Sequence, residues 1–256
     1  MYVAARTSRH GPQPADGTPG TVEDTAEEVC ARGGKGIAVR ANLGNAEEAE
    51  ALFRRVADEQ GRLDLMADAA WGPTIAEWSK HFWDLSTGIW ADTLATINAA
   101  WLTTAHAARI MVKQRSGVIV HVTDNIHPDD PYGRRGQILW DLGHDFLNRL
   151  VGETSRGLKK SKVAVVGLNP GFMRTERVLR HMTTDKIKRQ FRFDLSESPE
   201  YIGRAAAALT ADENVFRKTG QLLWVAHLAK EYGFTDIDGR VIPIFDPHAP
   251  EQPFPC

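Results

Sequence analysis

Gly117-Val-Ile-Val-His-Val-Thr123 and Trp140-Asp-Leu-Gly-His144, followed by Val163-Ala-Val-Val-Gly-Leu168 running into Asn169-Pro170-Gly171, decide the reading of this chain. The first run is β-branched and apolar and ends in a hydroxyl, as a buried strand does on reaching a site. In the second, Trp140 and His144 are four residues apart and share one face of a helix. The third is another apolar strand, stopped by a turn. Strand, helix, strand and loop make a βαβ unit, whose parallel strands carry sites at their carboxyl ends.

Outward from this unit the pattern repeats. Met1–Ala5 and Gly36–Arg40 read as strands, with a Gly- and Pro-rich loop at His10–Gly20 and a helix at Thr21–Arg32 between them. Ala46–Gln60 is an amphipathic helix with Ala49, Leu52, Phe53 and Val56 inward, and Leu63–Ala70 is a strand. Trp78–Ile89 is an aromatic loop, and a long helix spans about Trp90–Lys113. Beyond Gly171, the polar stretch Met173–Asp194 reads as a solvated helical flap. Glu200–Thr210 is an Ala-rich helix, Gly220–Val225 a last strand and Phe245–Cys256 a Pro-rich tail. Alternating strands and helices predict one α/β domain, a Rossmann-type doubly wound parallel sheet over residues 1–256.

Composition narrows the function classes. The chain has 256 residues, a net charge of −2 and 25% charged residues. That balance argues against nucleic-acid or anionic-membrane binding as the main task. Cys30 and Cys256 are too few for a disulfide framework or a metal cluster, and no apolar run reaches membrane-span length. A cytoplasmic protein with no nucleic-acid, membrane or metal partner is expected.

Several motifs resemble those of the short-chain dehydrogenase/reductase family over nearly the whole length. They are Gly61-Arg-Leu-Asp-Leu, Ile97-Asn98, Gly117-Val-Ile-Val, Asn169-Pro-Gly171 with Thr175, and Glu231-Tyr-Gly-Phe-Thr-Asp-Ile-Asp-Gly239. The resemblance implies a small-molecule substrate, an NAD(P) cofactor and hydride transfer at a carbonyl or alcohol. It places Asn98, Thr123, Trp140 and His144 at the catalytic positions. Arg6, Asn42, Ala69, Pro170, Gly171 and Thr175 fall at the cofactor-binding positions, Arg6 toward a 2′-phosphate and Asn42 toward the adenine. It also implies a homo-dimer or tetramer formed through helices 90–113 and 137–157.

The departures from the family are chemical. The family's glycine-rich turn of the Thr-Gly-x-x-x-Gly-x-Gly type, where amides hold the pyrophosphate, has no counterpart, and Met1 aligns with the start of the family's second strand. Residues 1–62 thus read as a remnant of the cofactor half, 63–240 as core and 241–256 as tail. In a sheet of order 3-2-1-4-5-6, losing the first strand leaves Tyr2–Ala5 and Leu65–Ala69 without a shared neighbour. Those strands are expected either to pair directly or to leave a gap, with no pyrophosphate pocket. The family's Tyr and Lys are replaced by Trp140 and His144, and Ala67-Asp68-Ala69-Ala70 stands for its Asn-Asn-Ala-Gly. An indole N–H donates but does not ionise usefully, and an imidazole with a pKa of ~6.5 supplies little positive charge at neutral pH. His127-Pro-Asp-Asp-Pro131 reads as an insertion.

Each site residue also has a plainer reading. Trp140 packs a pocket vacated by substrate, and His144 is a surface or capped residue. Thr123 is a strand-end hydroxyl bonded to backbone, and Asn98 ties the long helix to a neighbouring strand. Three function classes follow: an oxidoreductase incomplete at its front, a degenerate member acting as a binding or partner subunit, and a non-redox enzyme. The last would use His144 as acid/base beside Trp78, Phe82 and Trp83.

Overall fold

Asn45 opens one helix by accepting from the Glu48 amide, and Gly61 closes it at φ 68, leaving Ala46–Gln60 as α2 with Ala49, Leu52, Phe53 and Val56 buried. Thr21 and Asp24 form a reciprocal capping box that starts α1, Val22–Ala31. Both helices follow the sequence pattern residue for residue on their inner faces, apart from Val29 of α1, which is half-buried. A computed structural model of the chain describes residues 1–11, 17, 19–71, 80–124, 138–190 and 192–243. The expected insertion at His127–Pro131, the aromatic Trp78 and the tail Phe245–Cys256 lie outside these residues.

The strands are β1 Tyr2–Ala5, β2 Ile37–Arg40, β3 Leu65–Asp68, β4 Val118–Val122, β5 Ala164–Asn169 and β6 Leu222–Trp224. The remaining helices are α3 Thr87–Gln114, α4 Ile138–Leu158, α5 Glu176–His181, α6 Asp185–Gln190, α7 Pro199–Ala211 and α8 Val225–Tyr232. Every residue of β5 is buried, which is why it reads as a continuous apolar run without alternation. On one face β5 sends Val166 and Leu168 to α7 and α8, among Tyr201, Leu209, Val225 and Leu228. On the other, Val165 meets α2, α3 and α4 through Phe53, Met111 and Val151. Helices on both faces of parallel strands make the α/β, Rossmann-type layering expected from the sequence.

The sheet is split. β1 and β2 pair in parallel as a two-stranded sheet, and β3-β4-β5-β6 form a four-stranded one. Tyr2, Ala4 and Val39 nevertheless pack on the cluster that holds Met66 and Ile119, so both sheets share one covering layer of helices. Of the two outcomes expected for β1 and β3, a gap is found. Ala67, which a central strand would bury, is exposed.

One element differs from expectation. α8 follows β6 without a break, whereas a strand was expected to run through Val225. Only Val225, Leu228 and Ala229 of this eight-residue helix are buried, too short a stripe to stand out beside a β-branched residue. The polar stretch after Gly171 folds into α5 and α6, two six-residue helices.

Candidate active site

The carboxyl ends of β4 and β5 face the first turns of α4. The Thr123 amide donates to Leu168 O at 2.8 Å, which carries the β4–β5 pairing one residue past the strand. Thr123 is buried, and its hydroxyl donates to Asn148 Oδ1 at 2.6 Å. Asn148 Nδ2 in turn donates to Asp124 O at 2.9 Å. Thr123 was expected to bond to backbone; its principal partner is a side chain one α4 turn beyond His144. The group facing Trp140 is instead Asp124, whose Oδ2 accepts from the indole Nε1 at 3.3 Å. Asp124 and Asn148 are thus site residues that sequence reasoning missed.

His144 is 5% exposed, which corrects the surface reading. Its Nδ1 lies 2.9 Å from Trp140 O. A carbonyl only accepts, so Nδ1 carries a proton, and the ring in its neutral form has its lone pair on Nε2. Trp71, just beyond β3, stacks on this imidazole with centroids 4.0 Å apart and meets Trp140 edge-on at 5.0 Å. Gly143 makes room for it: a Cβ there would sit 2.6 Å from Trp71 Cη2. The Trp71 Nε1 is buried without a partner among the described residues.

Behind this cluster, His121 is fully buried between Thr104 Oγ1 at 2.9 Å and Asp68 Oδ2 at 3.5 Å, bracing β3 and β4 against α3. Asn98 does not join the site. It is exposed and donates to Gly44 O at 2.7 Å, which ties α3 to the loop after β2 rather than to a strand. Phe82 and Trp83, expected to shape a pocket, are 61% and 67% exposed.

Of the residues at cofactor positions, Arg6 and Ala69 are exposed and Pro170 and Gly171 half-buried. The Asn42 Oδ1 accepts from the Gly44 amide and Thr175 caps α5 by accepting from the Val178 amide, so both are already engaged. Asn169 is buried with both amide atoms unpartnered among the described residues, a polar group suited to a ligand at this turn. Against that, β1 and β3 lie apart and an aromatic ring covers His144. Among the described residues, those at the cofactor positions therefore do not assemble an intact dinucleotide site.

The family model for short chain dehydrogenases matches residues 13–185. The chain belongs to that family. It is 30% identical over 236 residues to the dehydrogenase/reductase SDR family member 1 of Mus musculus, covering 87% of this chain and 74% of that protein. It is 24% identical to a 3-oxoacyl-[acyl-carrier-protein] reductase of Synechocystis, over 76% of each. Among solved structures, the NADPH dependent reductase YwfH, involved in bacilysin biosynthesis, superposes with a TM-score of 0.66 at 18% identity, covering 87% of this chain and 86% of that one. A Beutenbergia cavernae protein holding NADP at low occupancy gives 0.67 at 21% identity, covering 87% and 83%. Oxidoreductase lineage and fold are therefore established, with NAD(P) as the family's cofactor. Among the described residues, no helix is long and apolar enough to cross a membrane, and no group of His, Cys, Asp or Glu is set to hold a metal.

Proposed function

We propose that this family member retains the scaffold for NAD(P)-dependent oxidoreduction of a carbonyl or alcohol, with its own turnover strongly reduced. The observation that carries the reading is the Trp140–Asp124 pair. Reducing a carbonyl requires a proton for the developing alkoxide. Trp140 has a non-ionising N–H, the His144 Nδ1–H is turned toward Trp140 O, and an ionised Asp124 only accepts. Loss of a placed general acid is worth on the order of 10²–10⁴ in rate.

Purified protein is expected to consume no NADPH or NADH above background with a panel of ketones. Calorimetry with NADPH should show no dissociation constant tighter than about millimolar, roughly 4 kcal/mol weaker than micromolar binding. Robust NADPH consumption that is lost on changing Thr123 or Asp124, or a micromolar dissociation constant, would overturn the reading.

A second reading, non-redox acid/base chemistry, draws on the His144 tautomer, which places the ring's lone pair on Nε2. Any such activity should disappear in His144→Ala. The same proposal includes a cytoplasmic setting and a homo-oligomer, the latter supported by apolar residues on the outside of α3 and α4. Trp90, Leu94, Trp101 and Val112 of α3 and Ile138 and Leu142 of α4 are all exposed.

A further inference from the structure

The excursion that carries α5 and α6 leaves the fold at Met173 and returns at Glu197, where the two residues form a parallel bridge. The Glu197 amide donates to Phe172 O at 2.8 Å, and the Arg174 amide donates to Glu197 O at 2.7 Å. Arg174 reinforces this neck through its side chain, donating to Ser196 O and, at 2.9 Å, to Asp236 Oδ2. Glu197 itself is 1% exposed, and among the described residues neither carboxyl oxygen has a hydrogen-bond partner within bonding distance. Its Oε2 lies 3.1 Å from where a Cβ on Gly171 would stand, directly under the turn that ends β5.

A count of charges at the neck shows which carboxyl holds a proton. Two cations reach the neck: Arg174, between the buried carboxyl groups of Asp236 and Glu197, and Arg240, whose guanidinium lies 3.8 Å from Asp236 Oδ2. Asp236 accepts from the Ser198 amide and hydroxyl, from the Ile237 amide and from Arg174, all of which favour its ionised form. Glu197 receives none of these; only the Gly171 amide beside it, and Arg174 at longer range, favour its ionised form. Tyr201 faces it from α7 as a neutral hydroxyl, and farther out Asp238 and Arg240 pair with each other at 2.8 Å. Both cations are thus engaged by Asp236 and Asp238, and an ionised Glu197 would be a buried charge with no ion pair of its own, next to another carboxylate.

We propose that Glu197 is a proton-operated latch on this neck: neutral, it lets Gly171–Arg174 close over it, and ionised, it draws in water and releases the excursion beside the candidate site. Burial pushes its carboxyl up to about 7, with Asp236 adding to the rise and Arg174 and the Gly171 amide opposing it. The sign follows from that direction. An opened neck exposes an ordinary carboxyl that titrates at about 4.3, so opening releases a proton between the two values. Closure is strongest at acid pH, weakens as pH rises toward 7 and levels off above it.

The test is amide hydrogen exchange on the whole chain without ligand, which is independent of any catalytic activity. Protection factors of the Arg174 and Glu197 amides are expected to fall on the order of 50-fold between pH 5 and pH 7.5 in the native protein. Those of Val165 and Val166 in β5 should hold steady. In Glu197→Gln the neck amides should lose this pH dependence. Should that variant not fold, side-chain ¹³C NMR of the native protein decides, since Glu197 itself should titrate near 7. A flat native exchange profile, an unchanged slope in Glu197→Gln, or a Glu197 midpoint below about 5 would each overturn the proposal.

Discussion

Replacing Arg174 by Ala tests the neck from its cationic side. The guanidinium is 16% exposed and Asp236 is 0% exposed, so the pair is largely removed from water. Stripping one partner from a buried pair costs about 3–5 kcal/mol, because the remaining charge is left uncompensated. Here Asp236 keeps the Ser198 amide at 2.9 Å, the Ser198 hydroxyl, the Ile237 amide at 2.7 Å and the Arg240 guanidinium at 3.8 Å. Those donors favour the lower end, about 3 kcal/mol, or roughly 6–12 °C in Tm for a chain of this size. Asp238→Ala is the control, since its 41% exposed carboxylate makes a rim contact worth about 0–1 kcal/mol. Combining Arg174→Ala with Asp236→Asn removes the orphaned charge and should recover at least half of the loss. Burial raises the Asp236 carboxyl, but its hydrogen bonds from Ser198 and Ile237 and from Arg174 outweigh this and hold it below the ordinary range. Its contribution is therefore complete at neutral pH and fades as pH falls below about 4. Urea unfolding followed by tryptophan fluorescence gives all three values. A cost below about 1 kcal/mol for Arg174→Ala, or a double variant no more stable than the single, would show that the guanidinium is not what neutralises Asp236.

Two further outcomes bear on the site and its surroundings. Thr123→Val keeps the shape but leaves Asn148 Oδ1 without its donor, and should cost about 1–3 kcal/mol by urea unfolding; a neutral result would mean that water replaces the hydroxyl. Trp101→Glu puts a charge on the exposed stripe of α3, 54% accessible at that residue, and should convert an oligomer to monomer in sedimentation while shifting stability by only about 0.5 kcal/mol. A native chain that already sediments as a monomer removes that part of the proposal.

Most of the scaffold could be read from the sequence because local and tertiary preferences agree in it. In α2 the apolar spacing, the Asn45 cap and the Gly61 stop all point to the same boundaries. What was not legible depends on contacts between distant segments. The choice between Thr123 and Asp124 turns on where β4–β5 pairing ends, and only the bond from the Thr123 amide to Leu168 O settles that. One residue past that bond the chain leaves the pleat, so strand alternation no longer says which side chain meets Trp140. The stacking of Trp71 left a trace in Gly143, the one position between Trp140 and His144 without a side chain, but a glycine alone does not name the ring that fills it. Glu197 lies just past Met173–Asp194, the stretch that reads as solvated by composition. Its burial comes from the neck that closes over it, a pairing of residues 24 apart in sequence that no local pattern encodes.

The residues that stabilise the fold and those that would perform the chemistry barely overlap. The two large clusters draw on β4, β5 and the helices against them, through residues such as Ile119, Val165, Leu168, Met111 and Tyr201. Trp140 and Asp124 belong to neither. Thr123, Asn148 and the Asp124 carbonyl satisfy one another through hydrogen bonds of their own. A Tyr and Lys at positions 140 and 144 could therefore be exchanged for Trp and His at little cost to the core. Trp140 and His144 make ring contacts of their own, Trp71 on His144 and Trp140 on Trp71, each aromatic pair worth about 0.5–1.5 kcal/mol. This packing opposes an open, hydrated pocket on that side, because a ligand reaching the ring face that Trp71 covers must first displace Trp71.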